Sequence, residues 1–214
     1  MFTARFSFEE GVRLARNLTS AYGVQVLCAR SSVSNRIEAA SIGNWVRSET
    51  DSLDLLICSA STFRRLALGD TMQDHYDDLM GSNLHGPYFL AQQCQDLLTN
   101  ANGSIINISD AQVNSGLPGF SAYLAAKAGL VSITKSLALE LAPKIRVNAI
   151  LPGSLPWPDD ATYDDAEIKS MTSQIPMQRI GTWGDVVGAV EYLQSATYVT
   201  GSCLPIDGGR AARY

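Results

Sequence analysis

The chain runs Ser104-Ile105-Ile106-Asn107-Ile108-Ser109-Asp110 and, thirteen residues after the aspartate, reaches Tyr123-Leu124-Ala125-Ala126-Lys127. Ser104 to Ile108 is short, apolar and rich in β-branched residues, which predicts a buried strand. Asp110 then stands just past a strand end, where open α/β sheets bind ligands. A carboxyl there also suits a plain strand-end cap. The second run lies in a helical segment, 121–141, whose Ala125, Ala126, Ala128 and Gly129 suit close packing. Tyr123 and Lys127 are four residues apart and share one helix face. An ammonium beside a phenol favours the phenolate, so this spacing predicts that Lys127 lowers the tyrosine pKa. A phenol tuned in that way donates a proton near neutral pH.

The same alternation extends in both directions. Helical spacing over 7–21 leads through Gly23 to an expected strand at 24–28, a helix from Ser34-Asn35 to about Arg47, and a strand at 53–57. A long helix is expected from Asp70 to Thr99, with a break around Gly81. Further on come a strand at 145–151 ended by Pro152-Gly153, a helix at 183–194 and a short strand at 203–206. Helices alternating with short apolar strands predict an α/β fold, with helices on both faces of a mostly parallel sheet. Residues 1–214 read as one domain. Within it, a loop of about 152–175 is expected over the substrate. Its first part, Pro152 to Asp165, holds three prolines, Trp157 and four aspartates, and also suits a plain surface connection.

Composition narrows the function. With 46% hydrophobic and 17% charged residues the chain is of ordinary globular type. A net charge of −5, and no basic run longer than a pair, argue against nucleic acid as partner. No apolar stretch approaches the roughly 18 residues of a membrane span. Met1-Phe2-Thr3-Ala4-Arg5 lacks the apolar core of a signal peptide, so a cytoplasmic location is expected. The four cysteines form no CxxC pair and read as small buried hydrophobes. His75 and His85 have no supporting cluster, so no metal site is expected.

Taken together, these segments resemble the short-chain dehydrogenase/reductase family. The likeness rests on the YxxxK motif at Tyr123 to Lys127, the strand 105–109 before it, the segment Arg146 to Gly153, and the ending Val199-Thr200-Gly201 to Asp207-Gly208-Gly209. It covers essentially the whole chain. Within the family the likeness is to pteridine reductases, including bacterial dihydromonapterin reductases. Asp110 stands where most members have serine, and Leu155-Pro156-Trp157-Pro158 and Asp207-Gly208-Gly209-Arg210 are similar to that subgroup. The resemblance implies a Rossmann-like doubly wound parallel sheet and NADPH-dependent reduction of a pterin or dihydrofolate-type C=N bond. Tyr123 is then the proton donor, and Lys127 tunes it and holds the nicotinamide ribose. Asp110 orients or protonates the pterin, Asn83 holds a relay water, and Phe63 stacks on the ring. Leu155 and Trp157 complete the substrate side. Ala60, Ser61, Ser109, Pro152, Gly153 and Ser154 line the cofactor. Arg5 meets the 2′-phosphate of NADP, and Ser32 replaces the aspartate expected at the adenine. A homotetramer or homodimer is implied as well.

The chain departs from the family at two places. There is no GxxxGxG, so the sheet is expected to lack its first β-α-β unit, or to carry it in degenerate form with Gly11 as its last glycine. The family's Asn-Asn-Ala-Gly appears as Cys58-Ser59-Ala60-Ser61, without the asparagines that tie neighbouring strands together. Three origins stay open: a fragment or misassigned start, a truncated paralogue that binds cofactor weakly, or a second chain that supplies the missing piece. Two rival functions stay open as well. One is a cofactor-poor scaffold assembling through the helices at 70–99 and 121–141; the other is an ordinary carbonyl reductase.

Overall fold

In the computed structural model, described over residues 1–156 and 165–213, the segment Ser104–Ile108 is the strand β4 of a four-stranded sheet. Its neighbours are β3 (Leu55–Cys58), β5 (Arg146–Pro152) and β6 (Cys203–Ile206), in the order β3-β4-β5-β6 and all parallel. Side chains alternate between the faces of a strand. Ile105 accordingly joins a core with α4 (Gly86–Ala101) and α5 (Ser121–Leu141), and Ile106 a second core under α7 (Trp183–Ser195). Both isoleucines are fully buried. A strand covered on both faces has to be apolar at consecutive positions, which is what the run shows.

A second, two-stranded parallel sheet holds β1 (Phe2–Ala4) and β2 (Cys28–Arg30), packed on α1 (Phe8–Tyr22). No ladder joins β1 to β3 among the described residues. The two sheets are held together by α2 (Arg36–Glu49), whose Ala39, Ile42 and Val46 pack on Leu90 and Leu97 of α4. Arg47 reinforces this contact with hydrogen bonds of 3.1 and 3.0 Å to the Asp96 carboxylate. Asn35 caps α2 by accepting from the N–H groups of Ile37 and Glu38.

One local expectation needs correction. The strand expected at 24–28 is displaced: β2 spans only 28–30, because its one neighbour, β1, is three residues long. The break expected around Gly81 is a π-helical turn, Gly81–His85, between α3 (Gln73–Met80) and α4. Pro87 has no N–H to close a regular turn there. The split between β1 and β3 is compatible with the expected lack of a first β-α-β unit.

Asn107 carries the mark of the lost asparagines. Its Nδ2 donates to Thr134 Oγ1 at 2.9 Å, but its buried Oδ1 has no partner. Cys58 stands opposite it in the β3–β4 register. Among the described residues no helix is long and apolar enough to cross a membrane. α6 (Asp165–Ser173) precedes α7.

The turn at 81–86 is pressed against the β2–α2 connection. A Cβ added at Gly81 would lie 2.8 Å from Ser34 O, and one at Gly86 would overlap the Val33 carbonyl. Gly86→Ala is therefore expected to destabilise the protein by at least about 2 kcal/mol, because backbone has to move. Urea unfolding checks this as a lower midpoint at unchanged slope.

Candidate active site

Asp110 leaves the end of β4 in extended conformation and caps a short 3-10 turn at Ala111–Asn114. Its Oδ1 accepts from Gln112 N at 2.7 Å and its Oδ2 from Tyr123 Oη at 2.9 Å. The cap and the site residue are thus one side chain. Tyr123 and Lys127 lie on the buried face of α5. Ser109 fixes that helix to the sheet, since its Oγ donates to Lys127 O and its N–H to Ile150 O. Lys127 Nζ donates to Ile108 O at 2.8 Å and lies 5.8 Å from the Tyr123 ring centre.

This arrangement corrects the expected electrostatics. Lys127 does not lower the tyrosine pKa here. The phenol donates to a carboxylate, and burial first, then the Asp110 charge, push Tyr123 well above an ordinary phenol. Burial also raises Asp110, against the opposing pull of the Gln112 N–H, the Tyr123 hydroxyl and the charges of Lys127 and Arg210. Burial pushes Lys127 down to about 8, against the pull of Asp110 and Cys58.

Aromatic rings wall the site. Phe63 stacks on Phe120 at 4.7 Å and meets Tyr123 edge-on at 5.0 Å, yet its side chain is 58% exposed. Its loop is held by Asn83 in the π-helical turn. Asn83 Nδ2 donates to Thr62 O and Leu79 O, and Asn83 Oδ1 accepts from Ser61 Oγ at 2.6 Å. Pro152 to Leu155 follow β5. Gly153 presses on Asp207, where a Cβ would lie 2.8 Å from its Cα. Leu155 packs at Gly181, and Ser154 Oγ accepts from Arg210 at 3.3 Å. Trp157 lies outside the described residues.

Arg5 and Ser32 stand apart from the tyrosine, at the carboxyl ends of β1 and β2. With Ala60 and Ser61 they line one opening of about 570 Å³. Arg5 pairs with Asp78 at 2.9 Å, and Ser32 Oγ lies 3.0 Å from Ser34 Oγ. Sequence reading misses two members of the site. Phe120 backs Phe63, and Arg210 bears on both Asp110 and Ser154. Neither has a local signal, although Arg210 follows the glycine pair of the C-terminal motif.

The buried Lys127 gives a sign-definite pH effect. Its folded pKa of about 8 lies below the ordinary lysine value of 10.5, so between these pH values the unfolded chain binds more protons. Stability contributed at this residue is lowest below about pH 8 and rises with pH through that window. Wild type is expected to gain roughly 2 kcal/mol relative to Lys127→Met between pH 7 and 10. Paired urea titrations at the two pH values check the difference.

Residues 4–211 match the Enoyl-(Acyl carrier protein) reductase family model. The chain is 33% identical over 193 residues to the 3-oxoacyl-[acyl-carrier-protein] reductase FabG of Staphylococcus aureus (strain MW2), covering 88% of this chain and 78% of that protein. It is 29% identical over 204 residues to Nodulation protein G of Rhizobium sp. (strain N33), covering 94% of this chain and 83% of that one. The crystal structure of a protein described as a short-chain alcohol dehydrogenase from Sinorhizobium meliloti 1021 matches with a TM-score of 0.89 at 32% identity, over 98% of this chain and 85% of that chain. With the parallel sheet and the tyrosine–lysine helix in place, the chain belongs to the short-chain dehydrogenase/reductase family of NAD(P)-dependent oxidoreductases.

Proposed function

We propose that the protein reduces a C=N bond of a pterin or dihydrofolate-type ring, with NADPH as cofactor. The observation that carries this reading is the 2.9 Å hydrogen bond from Tyr123 Oη to the Asp110 carboxylate. A buried carboxyl with a raised pKa takes up a proton more readily and, once protonated, donates to a ring nitrogen. Tyr123, already donating to that carboxyl, returns the proton that Asp110 gives up. Phe63 offers an exposed ring face to a flat substrate, and Phe120 holds it from behind. Leu155 and Trp157 close the substrate side in this reading.

The opening at the carboxyl ends of β1 to β3 fits the adenosine end of such a cofactor in size and in its lining of hydroxyls and one guanidinium. Arg5 is assigned to the 2′-phosphate and Ser32 to the adenine side, with Ala60 and Ser61 along the wall. Lys127 and Tyr123 are assigned to the nicotinamide ribose, with Ser109, Pro152, Gly153 and Ser154 around the ring. When bound, NADPH supplies the hydride. Lys127 holds its positive charge beside Ile108 O below about pH 8. Asn83 positions the loop that carries Phe63, and a relay water is assigned to it in this reading, beside the bond that its Oδ1 accepts from Ser61. A homotetramer or homodimer belongs to the same reading.

The identity to 3-oxoacyl reductases supports a second reading, reduction of a carbonyl. NADPH consumption with dihydrobiopterin, dihydrofolate and a 3-oxoacyl thioester separates the two. Pterin turnover is expected to fall about 10²-fold in Asp110→Ser, while carbonyl turnover holds or rises. A wild-type preference for the thioester, untouched by Asp110→Ser, would overturn the pterin assignment. An oligomer that binds no NADPH would favour the scaffold.

A further inference from the structure

We infer that Arg210 is a positioning residue of the active site: from the C-terminal turn it ties Ser154 to Gln174 and presents a permanent positive charge to Asp110. Ser154 stands on the cofactor side and Asp110 on the substrate side of the proposed site, and the role of Arg210 rests on that reading. The turn is built to aim this side chain. Gly208 and Gly209, just past β6, take φ of 64° and 87°, a left-handed conformation that suits glycine, and turn the chain against Ile175 and Pro176. The Asp207 carboxylate accepts from Gly209 N at 2.9 Å and from Ala211 N at 2.6 Å, which secures the 3-10 turn Arg210–Arg213. Gly208 O accepts from Met177 N at 3.2 Å. The turn lies beside the one at Ala111–Asn114 that Asp110 caps.

The side chain uses the shape of a guanidinium. Arg210 Nη1 donates to Ser154 Oγ at 3.3 Å and Nη2 to Gln174 Oε1 at 3.1 Å. Ser154 follows β5 and Gln174 follows α6, so one planar fork spans two separate segments, a geometry that a lysine ammonium does not reproduce. Both acceptors are uncharged, and among the described residues Arg210 forms no ion pair. No bonded carboxylate cancels its charge, which is left to act on Asp110. That carboxyl is faced by Tyr123 and Lys127 from α5, by Gln112 N from its own turn and by Arg210 from the C-terminal turn. Burial raises it, and the Gln112 N–H, the Tyr123 hydroxyl, the Lys127 charge and the Arg210 charge oppose that rise, in falling order. Lys127 loses its charge above about pH 8, whereas a guanidinium stays charged. Of the two cations acting on Asp110, Arg210 is therefore the one that pH does not switch off. Removing a nearby positive charge disfavours the carboxylate and raises its pKa.

The test reads the ligand-free protein, so failure of the pterin assignment leaves it unaffected. Carboxyl-carbon NMR follows Asp110 across pH, with its signal identified by its loss in Asp110→Asn. Arg210→Gln removes both the fork and the charge, while Arg210→Lys removes the fork and keeps the charge. The Asp110 titration midpoint is expected to rise in Arg210→Gln and to stay near the wild-type position in Arg210→Lys. Amide exchange at Gly181, whose N–H donates to Ser154 O, and at Met177 is expected to speed up about tenfold in both variants. Circular dichroism is expected to be unchanged. An Asp110 midpoint unmoved by Arg210→Gln overturns the inference. So does an equal rise in Arg210→Lys, since loss of the fork alone then accounts for the shift. Unaltered exchange at both amides in both variants overturns the tie between Ser154 and Gln174.

Discussion

The hydrogen-bond ladder that runs from β3 through β6 is the constraint on which the rest of the molecule hangs. β4 and β5 are interior on both edges and covered on both faces, so every backbone group in them has a fixed partner. Their carboxyl ends are therefore the most rigid points from which to aim side chains. Ser109 ties that end to β5 and to α5, and Lys127 Nζ returns to Ile108 O from the helix side. Asp110 is the next residue, and its carboxyl is oriented by Gln112 N before it ever meets Tyr123. A one-residue shift of β4 would turn Ile105 and Ile106 to the wrong faces and carry the aspartate away from the tyrosine.

Burial gives the site its chemistry by pushing unlike groups toward neutrality. Desolvation raises Asp110 and Tyr123 and lowers Lys127, while the charges among them pull partly the other way. The tyrosine thus holds its proton firmly in the free protein, hydrogen-bonded to a carboxylate that is itself easier to protonate than usual. The lysine sits close enough to neutral pH that its charge responds to modest changes in its surroundings. The same desolvation pushes the thiols of Cys58 and Cys94 up to about 12 and about 11, which withholds the reactive thiolate.

Much of this is legible in the sequence because it is local and periodic. The run Ser104 to Ile108 announces a strand by itself, and the spacing of Tyr123 and Lys127 announces a shared helix face. Asn35 is an interpretable cap, and Gly81 marks the break between α3 and α4. What escapes is set by contacts distant in sequence. β2 is short because β1 is short, which no propensity of residues 24–28 reveals. The sign of the tyrosine shift depends on which oxygen its hydroxyl meets, and that is decided by the turn after Asp110. Arg210 and Phe120 reach the site from elements that carry no catalytic pattern of their own.

The lost asparagine and the split sheet are two sides of one fact. Cys58 ends β3 opposite Asn107 and also lines the cavity between β1 and β3. It offers Asn107 Oδ1 no strong donor, so that buried acceptor stays unpaired where the β3–β4 pairing ends. Arg5 and Ser32 stand across that cavity, on a unit joined to the rest by the α2–α4 contact and the Arg5–Asp78 pair and, among the described residues, by no strand pairing. The two groups of candidate cofactor residues thus rest on separately paired sheets. An exposed ion pair contributes little to holding them in register, whereas a continuous ladder fixes strand spacing to within the length of a hydrogen bond.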